Sequence, residues 1–519
     1  MIGNIKAYLT TNNATLKPRM VIVFGMSLIL GIVIPLVLPV GSFILSGLST
    51  FFLTFILLVI TGLVWLEFGA DKRLLLIMIL SFVLRVALGV FLTWALPRFG
   101  YPEEVQQGGY FYADAFARDS QAWQLARSEL SIVSAFTDEF ISDQYGGLLA
   151  ISALVYRLFS PNFHRSYLII ILSAGIFTLG IPFFYALVKR LFDTKVSLIA
   201  TWILMLYPES LLLGASQMRE PFLLSFSSVL FWSAVTIIEN RKRWRCWFAF
   251  AVGALGLLLI STRVAMPVFA VIFVTVWLMK YSSIKIKWQR NVGWLILFFL
   301  SIVIIALSFN WLRSGANWYV YKSILDSGWL VYLFESLPGW VSFPFVTIYG
   351  VLQPVLPAAI AAPAPWIWRV AGIFRGLGWY AILPILIYAF MRVWKAKPIN
   401  TRKLLIWFNI IAWVWIFVSS VRAGGDQWDN PRYRTIFLPW MAIICAWAIA
   451  WVREHKDPWL LRWLVVELIA LVFFSNWYLS RYYDWFERLP FWHMIIYILV
   501  LSAFVLLGGW LLDKRKKRS

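Results

Sequence analysis

Cysteine, histidine and acidic residues are all scarce in this chain, and each scarcity closes off a chemistry. Two cysteines, Cys246 at the end of a basic loop and Cys445 inside an apolar run, supply neither a disulfide framework nor a metal spacing. They read as free thiols. Three histidines, His164, His455 and His493, are scattered without zinc-ligand spacing. No Ser/His/Asp or Cys/His nucleophile set stands out, and no glycine-rich phosphate loop. The lack of any soluble nucleotide-binding stretch argues against an ATP-driven pump. There is no fixed-period repeat or low-complexity tract. The first apolar run is not followed by a small-residue cleavage site, so a retained helix is expected, with the mature chain starting at or near Met1.

Charge is also thin, at 13% of residues, while 61% are hydrophobic and 18% aromatic. A soluble domain carries about twice that share of charge. The chain reads as an all-α polytopic membrane protein. Its formal charge of +22 would point to nucleic acid in a soluble domain, but here Lys and Arg collect in short tracts between apolar runs, as topology signals do. No nucleic-acid partner is needed to explain them.

Runs of roughly 17 to 25 apolar residues match a hydrocarbon layer about 30 Å thick, and about fourteen are present. They cover Met20 to Val40, Phe43 to Leu66, Leu74 to Leu96, Tyr167 to Val188, Val196 to Leu212, Pro221 to Ile238 and Trp247 to Ile260. The series continues through Met266 to Met279, Val292 to Leu307, Val370 to Phe390, Leu404 to Val421, Ile436 to Trp451, Trp459 to Tyr478 and Phe491 to Leu512. Basic loops resist translocation, so the tracts at Lys72 and Arg73, Lys189 to Lys195, Arg241 to Arg245, Lys285 to Arg290, Arg392 to Lys403 and Arg453 to Lys456 orient the spans. Both termini are expected on the cytoplasmic side. That assignment requires the weak segment Tyr145 to Phe159 to be re-entrant or interfacial on the outer face, since a crossing there would reverse every later basic loop. The Pro/Ala run Gln353 to Pro365 is expected to form a second such element. Three regions follow: two N-terminal spans in 1–72, a membrane module in 73–308, and a C-terminal membrane module with outer loops in 309–519.

The longest polar interruption, Arg98 to Gln144, holds the first candidate residues. An ionisable group placed beside a membrane bundle is costly and usually functional. In the run Tyr110 to Leu130, Trp123 and Ala126 fall at i+4 and i+7 from Asp119, on one helical face. A carboxylate there could take a proton from an acceptor hydroxyl while the indole packs on a sugar ring. The plainer reading is an amphipathic surface helix with Asp114 and Arg118 as an i,i+4 pair. Next, Arg219 and Glu220 precede Pro221, which suits a helix first turn, and Glu220 suits the helix dipole. Together they offer a second acid and a phosphate-binding cation, or else a pair that only fixes packing. Arg263 stands in a short outer turn, able to meet a phosphate or simply to cap a helix. The loop Arg422 to Thr435 carries Gly424 and Gly425 and then Arg432, Tyr433 and Arg434, a set suited to a lipid phosphate and sugar, or to interfacial anchoring. Asp119, Glu220, Arg263 and Arg432 could share one outer site, and Mg or Mn held by Asp119 and Glu220 stays possible.

These features together resemble the GT-C glycosyltransferases, in the branch similar to family 39 protein O-mannosyltransferases and lipid A aminoarabinose transferases. The resemblance rests on Asp119 with Trp123, Leu125 and Ala126, on the blocks Tyr145 to Phe159 and Ala186 to Pro221, and on the Arg432 to Arg434 element. It implies a GT-C-like fold, with Asp119 as catalytic base, Glu220 as second acidic position and Arg432 with Tyr433 at the carrier-lipid end. Two departures stand out: Ser120 follows Asp119 where the family has a tandem acid, and two extra spans come first. The implied reaction moves a sugar from a polyprenyl-phosphate donor to a glycan, lipid or protein acceptor, with inversion, on the outer face of a plasma (inner) membrane. A flippase or other transporter, and a polysaccharide polymerase or ligase, are the alternatives; transporters tend to show internal repeats and midplane charges.

Overall fold

The computed structural model describes residues 13–140, 145–239, 244–281 and 341–516, with scattered positions between 287 and 338. Every regular element among them is helical. Ten helices are long and apolar enough to cross a membrane, and twelve spans result if each of two bent helix pairs counts as one. The expected fourteen differ in two places. The run at Trp247 is a helix of 17 residues, shorter than the ten, and the run 292–307 lies largely outside the described residues. Both bends fall next to proline, which cannot continue the backbone hydrogen-bond ladder. Thr194–Leu206 meets Pro208–Gly214 at 54°, and Asp429–Thr435 meets Leu438–His455 at 72°.

The chain divides into two compact units, Met1–Val276 and Trp277–Ser519. The first unit is built from α1 (Asn13–Val37), α2 (Phe43–Glu67), α3 (Lys72–Phe99), α4 (Ala113–Arg127), α5 (Gly147–Phe159), α6 (Tyr167–Leu191), α7 (Thr194–Leu206), α8 (Pro208–Gly214), α9 (Glu220–Glu239), α10 (Trp244–Ile260) and most of α11 (Thr262–Tyr281). Its centre is α6, which packs against α2, α3, α7 and α9. In lipid there is little hydrophobic drive between helices, so close backbone approach at small residues does much of the work. Gly180 of α6 shows this: a Cβ there would lie 2.6 Å from Cα of Ser225 on α9.

Short polar elements then follow from local chemistry. Asp71 caps α3 by accepting from the Arg73 amide at 2.8 Å, and Asp193 caps α7 through the Val196 amide at 2.8 Å. Helix α5 has 13 residues, about 20 Å of rise, well short of a bilayer core. Its length fits a segment that does not cross.

The second unit contains α12 (Ser342–Leu352), α13 (Leu356–Ala361), α14 (Trp366–Arg392), α15 (Ile399–Ala423), α16 (Asp429–Thr435), α17 (Leu438–His455), α18 (Trp459–Tyr483) and α19 (Phe491–Lys516). Helix α15 ends at Gly424, whose φ of +51° favours glycine. The Asn430 side chain then ties that corner together, donating to the Gly350 and Gly424 carbonyls at 2.9 and 2.8 Å. Along α18 and α19 few residues are buried, as expected for helices that meet lipid.

Candidate active site

Helix α4 shows why Asp119 is placed as it is. Ala115, Arg118, Asp119, Ala122 and Leu125 are its buried residues, one stripe at helical spacing. Asp114 is exposed in the first turn and Arg127 stands in the last, each at the helix end that suits its charge. Two arginines hold the helix in position. Arg118 donates to the Gln217 carbonyl at 2.6 Å, while Arg157 of α5 reaches the carbonyls of Leu125 at 2.8 Å and Ser128 at 3.1 Å. The second contact satisfies the carbonyl end of α4, which has no partners within the helix.

Asp119 is 3% exposed and accepts from three side chains. The Tyr110 hydroxyl donates to Oδ2 at 2.6 Å, and the Tyr156 hydroxyl lies 2.7 Å from Oδ1 and 2.8 Å from Oδ2. His164 Nε2 is 2.9 Å from Oδ2. Burial first, and the Asp119 charge second, raise both tyrosines well above their ordinary values. They therefore remain O–H donors at any pH near neutrality. Against a carboxylate, Nε2 is the donor of that contact, which leaves Nδ1 as the ring nitrogen outside it. Trp123 stacks on His164 at 5.3 Å between centroids and 12° between planes, and meets Tyr156 edge-on at 5.5 Å.

Beside this cluster lies a cavity of about 490 Å³, within the range of small-ligand sites. His164, Tyr110 and Ser120 line it from the Asp119 side, Arg98 supplies a cation, and the Val37 to Val40 stretch forms an apolar wall. Asp119 itself is not in the lining. Of the groups that contact it, His164 and Tyr110 are in the lining. That wall is the end of α1 at Val37 and the connection from Leu38 to Val40 that leads to α2.

The remaining sequence-derived candidates fall in several places. Glu220 is 1% exposed at the start of α9, with Arg219 Nε 4.0 Å away; it is not among the partners of Asp119. Arg219 also lies over the Tyr145 ring at 5.8 Å. Arg263 is exposed in the first turn of α11. In the second unit, Arg434 is 0% exposed, lies 3.3 Å from the Trp379 ring centroid, and donates to the carbonyls of Val351 and Gln353. Its guanidinium is already engaged in packing. Arg432 is 4% exposed, 3.7 Å from Asp429, and the Tyr433 carbonyl accepts from Trp415 Nε1 at 2.9 Å.

A divalent cation fits poorly at Asp119. Oδ2 already accepts from three N–H or O–H donors, a shell suited to protons and not to a metal. Among the described residues, no group of three or more His, Cys, Asp or Glu side chains is placed to hold an ion. His164, Tyr110 and Tyr156 are the members that sequence reasoning missed. Tyr156 lies within the quoted block Tyr145 to Phe159, but nothing in its spacing tied it to Asp119.

No family model matches the chain, and no curated protein sequence matches it. Among solved structures, the archaeal oligosaccharyltransferase AglB from Archaeoglobus fulgidus, in complex with an inhibitory peptide and a dolichol-phosphate, is similar at a TM-score of 0.39 and 12% identity. The match covers 86% of this chain and 56% of that one, so the chain spans little more than half the length of that protein.

Proposed function

We propose that this chain is a membrane glycosyltransferase that moves a sugar from a polyprenyl-phosphate donor to an acceptor hydroxyl on the outer face of a plasma (inner) membrane, both chain ends being cytoplasmic. The observation that carries the reading is the cavity beside α4. It sets a carboxylate-held histidine, an arginine and an apolar wall around one space large enough for a sugar. Each matches a part of such a substrate: acceptor proton, phosphate and isoprenoid.

In this reaction the acceptor oxygen bonds to the anomeric carbon as the bond from that carbon to the phosphate oxygen breaks. The acceptor proton passes to His164 Nδ1, and Asp119 stabilises the imidazolium through Nε2–H. A phosphate leaving group departs as an anion and needs a cation more than a proton; Arg98 is the cation in the cavity lining. Trp123, stacked on His164 outside the lining, holds the imidazole in its orientation.

The test is to extract lipids bound to the purified protein for mass spectrometry, and to follow sugar release from polyprenyl-phosphate sugars by wild type and Asp119→Asn. Bound polyprenyl phosphate with release at least about a hundredfold slower in the variant is the expected result. Bound carrier lipid with no release by wild type would instead make the protein a transporter, and neither lipid nor release would remove the reading altogether.

A further inference from the structure

A second cavity, of about 320 Å³, lies at the other end of α6. Tyr167 at the first cavity and Tyr185 at the second are separated by about 27 Å along that helix, close to the thickness of a hydrocarbon core. The two cavities therefore open at opposite ends of the same spanning helix. By the distribution of Lys and Arg, the second is on the cytoplasmic side.

Its lining has two characters. Lys189, Arg190 and Arg245 face Glu67 as the one carboxylate, and Phe68, Tyr185 and Trp232 make an aromatic face. Phe68 and Trp232 are locked edge-on at 5.2 Å, with Phe183 completing a triad at 5.0 Å from Phe68 and 5.2 Å from Trp232. Arg245 is paired with Glu67 at 2.8 Å, and Arg190 with Glu239 on α9. Among the described residues Lys189 makes no ion pair; its ammonium lies 5.8 Å from the Tyr185 ring centroid. With the two arginines held by Glu67 and Glu239, and Asp71 accepting from the Tyr185 hydroxyl at 3.1 Å, the Lys189 ammonium is the cation left over beside a small concave space whose floor is aromatic. Such a basic pocket between helix ends matches a phosphodiester head group with its glycerol and first acyl carbons, better than a fully hydrated soluble anion.

We propose that this cavity binds the head group of an anionic phospholipid of the inner leaflet. Lys189 supplies the charge not already neutralised, Arg245 and Arg190 turn part of their hydrogen-bonding capacity to the phosphate, and the aromatic face takes the glycerol backbone. The site is separate from the Asp119 cavity and does not depend on what reaction occurs there.

Native mass spectrometry of the full chain, released from nanodiscs of phosphatidylglycerol mixed with phosphatidylcholine, tests this directly. Retained phosphatidylglycerol is expected on wild type, weakened about tenfold in Lys189→Gln and further in Lys189→Gln/Arg245→Gln. Lys195→Gln, exposed on the same side but outside the lining, should bind as wild type does. Lys189→Gln leaves both ion pairs intact, so it reports on binding even if the double variant fails to fold. Equal retention of the two lipids by wild type, or equal loss in Lys195→Gln, would overturn the proposal. So would thermal stabilisation by millimolar inorganic phosphate with none from phosphatidylglycerol, which would make the ligand a soluble anion.

Discussion

At the scale of single residues, the Asp119 cluster makes a sharper prediction than an isolated carboxylate would. If His164 takes the proton and Asp119 acts through it, the two are one unit, and losses on removing them do not add. His164→Gln and Asp119→Asn should each slow sugar transfer at least about a hundredfold, and the double variant should be little slower than either. Additive losses would show that Asp119 acts on substrate independently. Arg434 makes the opposite case. Its burial against Trp379 and the Val351 and Gln353 carbonyls predicts that Arg434→Met destabilises the second unit by about 2–4 kcal/mol. Arg434→Lys should recover little, because one ammonium cannot serve the stacked, forked geometry. Thermal unfolding in detergent reads the effect; a variant with unchanged stability but weakened carrier-lipid binding would restore Arg434 to the phosphate role.

At the scale of elements, the apolar runs were legible because twenty or so residues of hydrocarbon preference leave a mark that no tertiary contact can erase. Helix α4 was legible too, since its stripe is local. The histidine partner of Asp119 was not. His164 comes 45 residues after Asp119 and reaches it because α5 packs back onto α4, held there by Arg157, and lies against α10 at a close backbone approach. Gly147 at the start of α5 marks the approach to α10: a Cβ there would lie 2.0 Å from the Leu259 carbonyl. Gly147→Ala should therefore push α5 off α10, costing about 1–3 kcal/mol, and should lower transfer further by displacing Tyr156 and the loop that carries His164. Gly62→Ala on α2, where a Cβ meets nothing within 4 Å, is the control, expected to be neutral or slightly stabilising. Equal melting temperatures and equal turnover in the two variants would show that α5 is not fixed in this way. The bends at Pro208 and near Pro431 and Pro439 escaped the hydropathy reading for a related reason: a run of apolar residues has the same composition whether its helix is straight or broken.

For the whole molecule, the charge pattern makes a prediction about parity. The basic tracts lie on one side only if an even number of crossings separates Lys195 from Glu454. The spans from Val196 to Trp451 satisfy that condition when the segment 292–307, largely outside the described residues, crosses as its composition suggests, and when α10 crosses despite its 17 residues. Removing either one places the Arg453 to Lys456 tract outside, against the resistance of basic loops to translocation. Cysteine accessibility decides the matter with little background, because Cys246 and Cys445 are both buried. Glu103, Asn162, Lys195 and Glu454 are exposed, so single Cys substitutions there can be labelled with a membrane-impermeant maleimide on intact cells and again after permeabilisation. Glu103→Cys and Asn162→Cys should label in both conditions, since α5 is too short to separate them. Lys195→Cys and Glu454→Cys should label only after permeabilisation. Labelling of Asn162→Cys only after permeabilisation would make α5 a true span and reverse every later basic loop. Labelling of Glu454→Cys alone on intact cells would leave the Asp119 cavity on the outer face, but would show that one of the two short segments does not cross.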